Sequence, residues 1–413
     1  MNRRDFLKRS LSLVAGAGLY LLGPHAWAAS SLQAGSQKRL IVVFLRGAVD
    51  GLSVVIPYGD SQYYDWRPTI AIPRSGDGAM LELGDGHFGI NPALSAILPQ
   101  WRDRTLAFVH ACGSPDPSRS HFDAQDYMES GTPGIKSTSD GWMNRLLGVL
   151  PGTRSAAEAI NLGPTTARIL SGRLPVANMG LGRNASKPMA LDRPIVGEAF
   201  ARMYSGNDPL SRAYREGIEA RKKLLADLER DMTEAAGGAP PASQASDYTG
   251  QLGRLIARDP GIRLAFIGLS GWDTHVSQGA SKGQLFNHLK PLGEGLSGLV
   301  AALGPAYFDT VVMVISEFGR TMHENGNGGT DHGHGNVMLI TGGAINGGQV
   351  YGQWPGLAEA DLYQGRDLAI TTDFRDPICA VLKTHMRLSD PQIAKVFPNF
   401  SPNFANFSPL PRS

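Results

Sequence analysis

Five stretches of the chain are continuous runs of β-branched and apolar side chains. A strand can carry such a run only where both of its faces are covered. The runs are Lys38 to Leu45, Thr105 to His110, Arg263 to Leu269, Thr310 to Ile315 and Asn336 to Thr341. Helical segments are expected between them, at Asn91 to Trp101, Tyr214 to Ala235 and Gln284 to Leu303. Strands alternating with helices predict an α/β fold, a three-layer αβα sandwich around a mostly parallel central sheet. The segment around 130–250 breaks this rhythm with short turns at Pro151, Pro164, Pro175 and Pro194 and a loop at Gly237 to Ser243. It reads as a cap or insertion within a single domain covering 29–413.

The first residues have a different purpose. Arg3-Arg4-Asp5-Phe6-Leu7-Lys8 precedes an apolar stretch, Leu11 to Leu22, and Ala26-Trp27-Ala28 offers a small-x-small cleavage site. This is the layout of a secretory signal, and the arginine pair marks the twin-arginine subtype. The apolar stretch is shorter than the roughly 20 residues that span a bilayer. Residues 1–28 are therefore expected to be recognised by the twin-arginine translocase and removed. That leaves a periplasmic or secreted protein without a stable membrane anchor.

Charge excludes one class of partner. Lys+Arg total 39 and Asp+Glu 37, and residues 1–28 hold Arg3, Arg4, Lys8 and Arg9 against Asp5 alone, so the remainder is close to neutral. Phosphate-backbone binding needs a basic surface, so nucleic acid is not an expected partner. The two cysteines, Cys112 and Cys379, allow at most one disulfide, so this is not a disulfide-stapled fold.

Ligands of open parallel sheets bind beyond the carboxyl ends of the strands. Here Asp50 follows the first run, Asp273 and His275 the third, and Glu317 the fourth, while Asp331, His332 and His334 lie in the loop entering the fifth. Carboxylates and imidazoles gathered there suit a divalent ion, Zn²⁺ foremost, with Mn²⁺, Fe²⁺ or Ca²⁺ as alternatives. Without a cation, clustered carboxylates repel one another. Taken singly, each residue has a plainer role: Asp50 as a turn former, Asp273 as a cap, Glu317 as a partner of Arg320, His332 and His334 as surface loop residues. Ser120, ahead of a predicted helix beginning at His121, is either an N-cap paired with Asp123 or a nucleophile activated by a metal or by His121. Arg320 is placed to hold an oxyanion through two N–H groups, and Asp373 and Arg375 to support the site from outside.

Taken together, Leu45-Arg-Gly-Ala-Val-Asp-Gly51, Ser120-His-Phe-Asp-Ala-Gln-Asp-Tyr-Met-Glu129, Gly271-Trp-Asp-Thr-His275, Ser316-Glu-Phe-Gly-Arg320 and Thr330-Asp-His-Gly-His-Gly335 resemble the bacterial domain-of-unknown-function family 1501. The resemblance runs from about Lys38 to about Pro398. That family in turn resembles the alkaline phosphatase and sulfatase superfamily. The resemblance implies an alkaline-phosphatase-like sheet, one or two metal ions, and hydrolysis of a phosphate or sulfate ester in a small molecule or polymer. The alternative is a non-catalytic exported binding or envelope-assembly protein on the same fold. The superfamily order of first-strand Asp, nucleophile, Asp/His pair and late His is matched by Asp50, Ser120, Asp273/His275 and His332/His334. The chain departs from it at Glu317-Phe318, where an Asp-His pair is usual, and at Pro115, which stands where a sulfatase has its cysteine.

Overall fold

The computed structural model describes residues 37–152, 156–163, 166–179, 194–219 and 244–405. The expected signal lies outside the described residues, as do residues 220–243, where the end of a helix from Tyr214 to Ala235 and a loop from Gly237 to Ser243 are expected from the sequence. Among the described residues, no helix is long and apolar enough to cross a membrane.

All five apolar runs are strands. They are β1 (Arg39–Arg46), β2 (Leu106–Gly113), β5 (Leu264–Ser270), β6 (Thr310–Ser316) and β7 (Asn336–Gly342). Two short strands, β3 (Ala159–Leu162) and β4 (Ala177–Met179), precede β5, and β8 (Val350–Tyr351) and β9 (Thr372–Asp373) follow β7. The order across the sheet is β8–β2–β7–β6–β1–β5–β3–β4, with β9 also on β2. The segment expected to form a cap thus contributes to the sheet, because β3 pairs parallel with β5 and β4 with β3. Among the described residues, every strand pairing in this sheet is parallel except those of β7, which runs antiparallel to both β2 and β6.

The even residues of β1 face one layer and the odd residues the other, as strand geometry requires. Leu40, Val42 and Phe44 pack with Met143, Leu146 and Leu147 of helix α2 (Trp142–Val149) and with Ile378, Val381 and Leu382 of α5 (Arg375–Thr384). Ile41, Val43 and Leu45 pack with Leu252, Leu255 and Ile256 of α3 (Gln244–Arg258) and with Leu285, Leu289, Leu292, Leu296 and Leu299 of α4 (Gln284–Leu303). Two apolar layers on one sheet are the sandwich the sequence predicts. The expected helix at Asn91 to Trp101 is a 3₁₀ turn, Pro92–Ile97, followed by a short α-helix, Leu98–Arg102. The first opens on Pro92 and the second has Pro99 as its second residue, and proline lacks the N–H that a continuous helix would need.

The register brings the strand ends level. Arg46 lies opposite Ser270, and Leu45 opposite Ser316. Because β7 is reversed, its first residue, Asn336, lies beside Cys112 near the end of β2. One edge therefore receives the exits of β1, β2, β5 and β6 together with the entry of β7. Cys112 and Cys379 are buried free thiols.

Candidate metal centre

The exit of β2 leads to helix α1 (His121–Ser130), which presents His121, Gln125 and Glu129 along one face at i, i+4 and i+8. The exit of β5 supplies Asp273 and His275, and the entry of β7 supplies His332. His332 Nε2 lies 3.0 Å from His121 Nε2 and 3.0 Å from His275 Nε2. Asp273 completes the group, with one oxygen 3.6 Å from His121 Nε2 and the other 3.1 Å from His275 Nε2 and 3.5 Å from His332 Nε2. Ligand atoms of His121, Asp273 and His332 all lie within 4.8 Å of one another, a candidate His/Asp/His metal site.

Two close backbone approaches build this corner. A Cβ at Gly47, where φ is +119°, would come within 2.7 Å of the Asp273 amide nitrogen. A Cβ at Gly333 would come within 2.4 Å of the Arg320 carbonyl group. Only glycine permits both.

The far nitrogen of each ring is already committed. His121 Nδ1 lies 2.8 Å from Glu317 Oε1, His275 Nδ1 3.0 Å from Asp331 Oδ1, and His332 Nδ1 2.8 Å from the Arg119 carbonyl. A carboxylate or a carbonyl only accepts, so each Nδ1 is the donor. In the neutral rings the three Nε2 atoms then carry bare lone pairs, two of which face the third at hydrogen-bond distance. That arrangement is repulsive unless a cation, metal ion or proton, sits among them. Metal-ligating histidines characteristically donate their other N–H to a carboxylate or carbonyl in this way, fixing tautomer and orientation.

The electrostatics favour the metal-ready forms. Burial, with the nearby His121 and Arg320, holds the His332 pKa below its ordinary value despite the Arg119 carbonyl and Asp273. Burial opposes ionisation of Asp273, but its bond to Arg320 and the surrounding imidazoles outweigh this and lower its pKa. Burial likewise opposes ionisation of Glu317, and is outweighed by His121, Gln125 and the Gly47 amide. Glu317 Oε1 accepts from Gly47 N, His121 Nδ1 and Gln125 Nε2, all at 2.8 Å.

Several residues expected among the ligands lie elsewhere. Asp50 is wholly buried and bound to Arg67 at 2.6 and 3.0 Å, to Ser53 Oγ at 2.6 Å and to Gln278 Nε2 at 2.7 Å. Its desolvation is offset by Arg67, which holds its pKa low. Glu317 and Asp331 orient imidazoles through Nδ1 rather than facing the ligand nitrogens. His334 is buried against the Tyr363 ring, with centroids 4.3 Å apart. Arg320 is buried and donates to Asp273 and to the Ala48, Gly47 and Thr330 carbonyls, so it ties the loops together instead of presenting N–H groups to an oxyanion. Asp373 and Arg375 pair with each other at 2.7 Å. Ser120 is the N-cap residue of α1 and is exposed, but its side chain makes no capping bond, and Asp123 pairs with Lys136 instead.

Sequence reasoning missed the scaffold of the site. Arg46 links Gln125 Oε1 and Glu129 Oε1, each at 2.6 Å, and so clamps α1 to β1. The four-residue spacing of His121, Gln125 and Glu129 was the available signal. The Arg119 carbonyl and Arg67 left none.

Residues 109–397 match a family described as a protein of unknown function, DUF1501. The chain belongs to DUF1501. No curated protein matches it. Among solved structures, this chain is similar to a mutant TAB5 alkaline phosphatase with magnesium bound, at 12% identity over 74% of this chain and 90% of that one, with a TM-score of 0.31. The C-terminal periplasmic domain of EcEptC from Escherichia coli, in complex with zinc, is 12% identical over 90% of this chain and 89% of that one, with a TM-score of 0.35. The phosphonate monoester hydrolase of Agrobacterium radiobacter is 12% identical over 86% of this chain and 74% of that one, with a TM-score of 0.31.

Proposed function

We propose that this DUF1501 chain is an exported, metal-dependent hydrolase of phosphate or sulfate esters. The observation that carries the reading is the meeting of three imidazole Nε2 atoms, two of them 3.0 Å from the third, beside the Asp273 carboxylate. His121, Asp273 and His332 would hold one divalent cation, with His275 as a fourth donor. Nitrogen and carboxylate donors suit Zn²⁺ first, then Mn²⁺ or Fe²⁺, and leave Ca²⁺ the poorest fit. When bound, such an ion polarises the ester and offsets charge on the attacking and leaving oxygens.

Ser120 is the proposed nucleophile, exposed one residue before His121. Its Oγ would form a bond to phosphorus or sulfur as the alcohol oxygen leaves with a proton, and water would then cleave the serine ester. Export rests on the sequence alone, on Arg3, Arg4 and the cleavage site after Ala28. It implies the twin-arginine translocase as partner and the periplasm as destination.

The test is elemental analysis of protein purified after export, joined to a screen of phosphate monoesters, phosphate diesters and sulfate esters. About one metal per chain, lost in His332→Ala and Asp273→Asn, with turnover abolished in Ser120→Ala, supports the reading. Absence of metal from the wild-type protein refutes it. Metal without turnover supports the alternative, an exported binding or assembly protein. The engagement of Asp50 by Arg67, which removes the first-strand carboxylate from the site, favours that alternative.

A further inference from the structure

Two of the three imidazoles are backed by a carboxylate, His121 by Glu317 and His275 by Asp331. The third, His332, is the ring that both others approach, yet its Nδ1 donates to a neutral group, the Arg119 carbonyl, at 2.8 Å. A carbonyl can hold an imidazole in place only if its own backbone is held. Arg119 is anchored by its side chain: Nε and Nη2 donate to Asp367 Oδ2 at 3.1 and 2.6 Å, and Nη2 to Gln364 Oε1 at 2.8 Å. A second arginine, Arg366, donates from Nη2 to the His332 carbonyl oxygen at 2.6 Å and brings Nε to 3.6 Å from Asp367 Oδ1. His332 is therefore gripped at its ring and at its backbone, and the carboxylate between the two grips is Asp367.

Asp367 is itself fixed. Its side chain is wholly buried. Gln364 and Gly365 have φ of +58° and +64°, the paired left-handed residues of a tight hairpin turn. Across that turn Tyr363 N donates to the Asp367 carbonyl at 2.8 Å, and Asp367 forms a further antiparallel bridge with Thr321. Thr321 N in turn donates at 2.9 Å to the carbonyl of Asp331, the residue before His332. As a stabiliser of the fold the carboxylate is poorly used, because its buried Oδ1 accepts no hydrogen bond among the described residues. A buried charge is repaid only when its remaining lone pairs are satisfied, so fold stability alone does not account for it.

We propose that Asp367 is a positioning residue of the metal centre. Acting through Arg119 and Arg366, it fixes the His332 ring so that Nε2 faces the ion, the part that Glu317 and Asp331 play directly for the other two rings. The inference rests on the metal-centre reading above and holds whichever substrate the centre serves.

The test is the zinc affinity of protein purified after export, by chelator competition, joined to NMR of isotope-labelled histidine in the zinc-loaded protein. The NMR follows the Nδ1–H groups of the rings that respond to zinc. Glu317→Gln and Asp331→Asn each displace one signal, which assigns those of His121 and His275 and leaves the third to His332. In Asp367→Asn, zinc affinity falls about tenfold, the low end for a group one step behind a ligand. The His332 Nδ1–H signal shifts and exchanges faster with water, while the signals of His121 and His275 stay. Asp50→Asn, which breaks a buried carboxylate–arginine pair away from the centre, changes neither affinity nor signals. If Asp367→Asn does not fold, Arg119→Lys carries the test, since it keeps the charge, gives up the two-nitrogen contact and displaces the same signal. Unchanged affinity and signals in the variant that folds, or all three signals moving together, overturns the inference and leaves the metal centre standing. Wild-type protein whose histidine signals ignore zinc removes the metal reading, and this inference falls with it.

Discussion

Asp50→Asn separates a buried ion pair from a metal ligand at the same strand end. Both Asp50 and Arg67 are wholly buried, and their two shortest contacts are 2.6 and 3.0 Å. Arg67 also donates to the Met322 carbonyl at 2.9 Å and the Thr321 carbonyl at 2.8 Å, so it ties three segments together. Asparagine keeps the shape of aspartate and loses the charge, leaving the guanidinium buried without a counter-ion. Its amide would also set N–H groups against those of Arg67 or Gln278. Removing one partner of a buried pair costs about 3–5 kcal/mol. The unfolding entropy for a chain of this length is about 0.8 kcal/mol/K, so Tm should fall by about 4–6 °C. The assay is differential scanning calorimetry of metal-free protein, paired with metal content after dialysis. The expected result is a lower Tm with metal stoichiometry unchanged. Loss of metal at an unchanged Tm would refute the reasoning and return Asp50 to the ligand set.

Three further outcomes follow from the same contacts. Glu317→Gln removes the charge behind His121 Nδ1 and should weaken metal affinity by about 10–100-fold; competition with a chelator measures it, and an unchanged affinity would remove Glu317 from the site. Burial raises the Asp376 pKa to about 6, so the fold retains a proton that the unfolded chain loses near pH 4. The associated stability is present below pH 4 and lost as pH rises through 6. Asparagine can keep the Asn403 amide bond to Oδ1. Asp376→Asn should then be more stable than wild type by about 1–2 kcal/mol at pH 7.5 and equal to it near pH 4, by urea unfolding. Burial, with Lys38 nearby, lowers the His385 pKa to about 4, so the fold excludes a proton that the unfolded chain takes up below pH 6.5. Between pH 6.5 and 4.5 wild type should lose about 2 kcal/mol more than His385→Gln, whose amide can still donate to the Arg39 carbonyl; parallel pH profiles would count against a buried neutral ring.

The five long strands are legible because a doubly covered strand needs a continuous apolar run, and their observed bounds lie within a few residues of those runs. β3 and β4 are too short, at four and three residues, to carry a periodicity. The station of the site is legible for the same reason as the sheet: ionisable residues recur where the strands stop. What each does there is not, because a carboxylate touching an ion and one touching the back of an imidazole occupy the same sequence position. Glu317 and Asp331 show this, each bonded to the Nδ1 of an imidazole. Asp50 is hidden differently, since its partner Arg67 lies in an irregular segment with no pattern to announce a buried cation. The placement of the His332 loop required β7 to run antiparallel. In a wholly parallel sheet, the entry of a strand lies at the edge opposite the exits.

The construction of the centre is asymmetric, and the asymmetry bears on its use. On the inner side Glu317 and Arg320 have fully buried side chains and accept or donate several bonds each, so the supports of His121 and Asp273 cannot relax. On the outer side the donors remain in contact with solvent, with side-chain exposure of 27% for His121, 25% for His332, 38% for His275 and 44% for Asp273. A structural ion is enclosed by its ligands and stands in for a core. This fold already has apolar layers on both faces of its sheet and has no such need. Rigid support behind and open donors in front is what a site must have if its ion is to meet a ligand from solution.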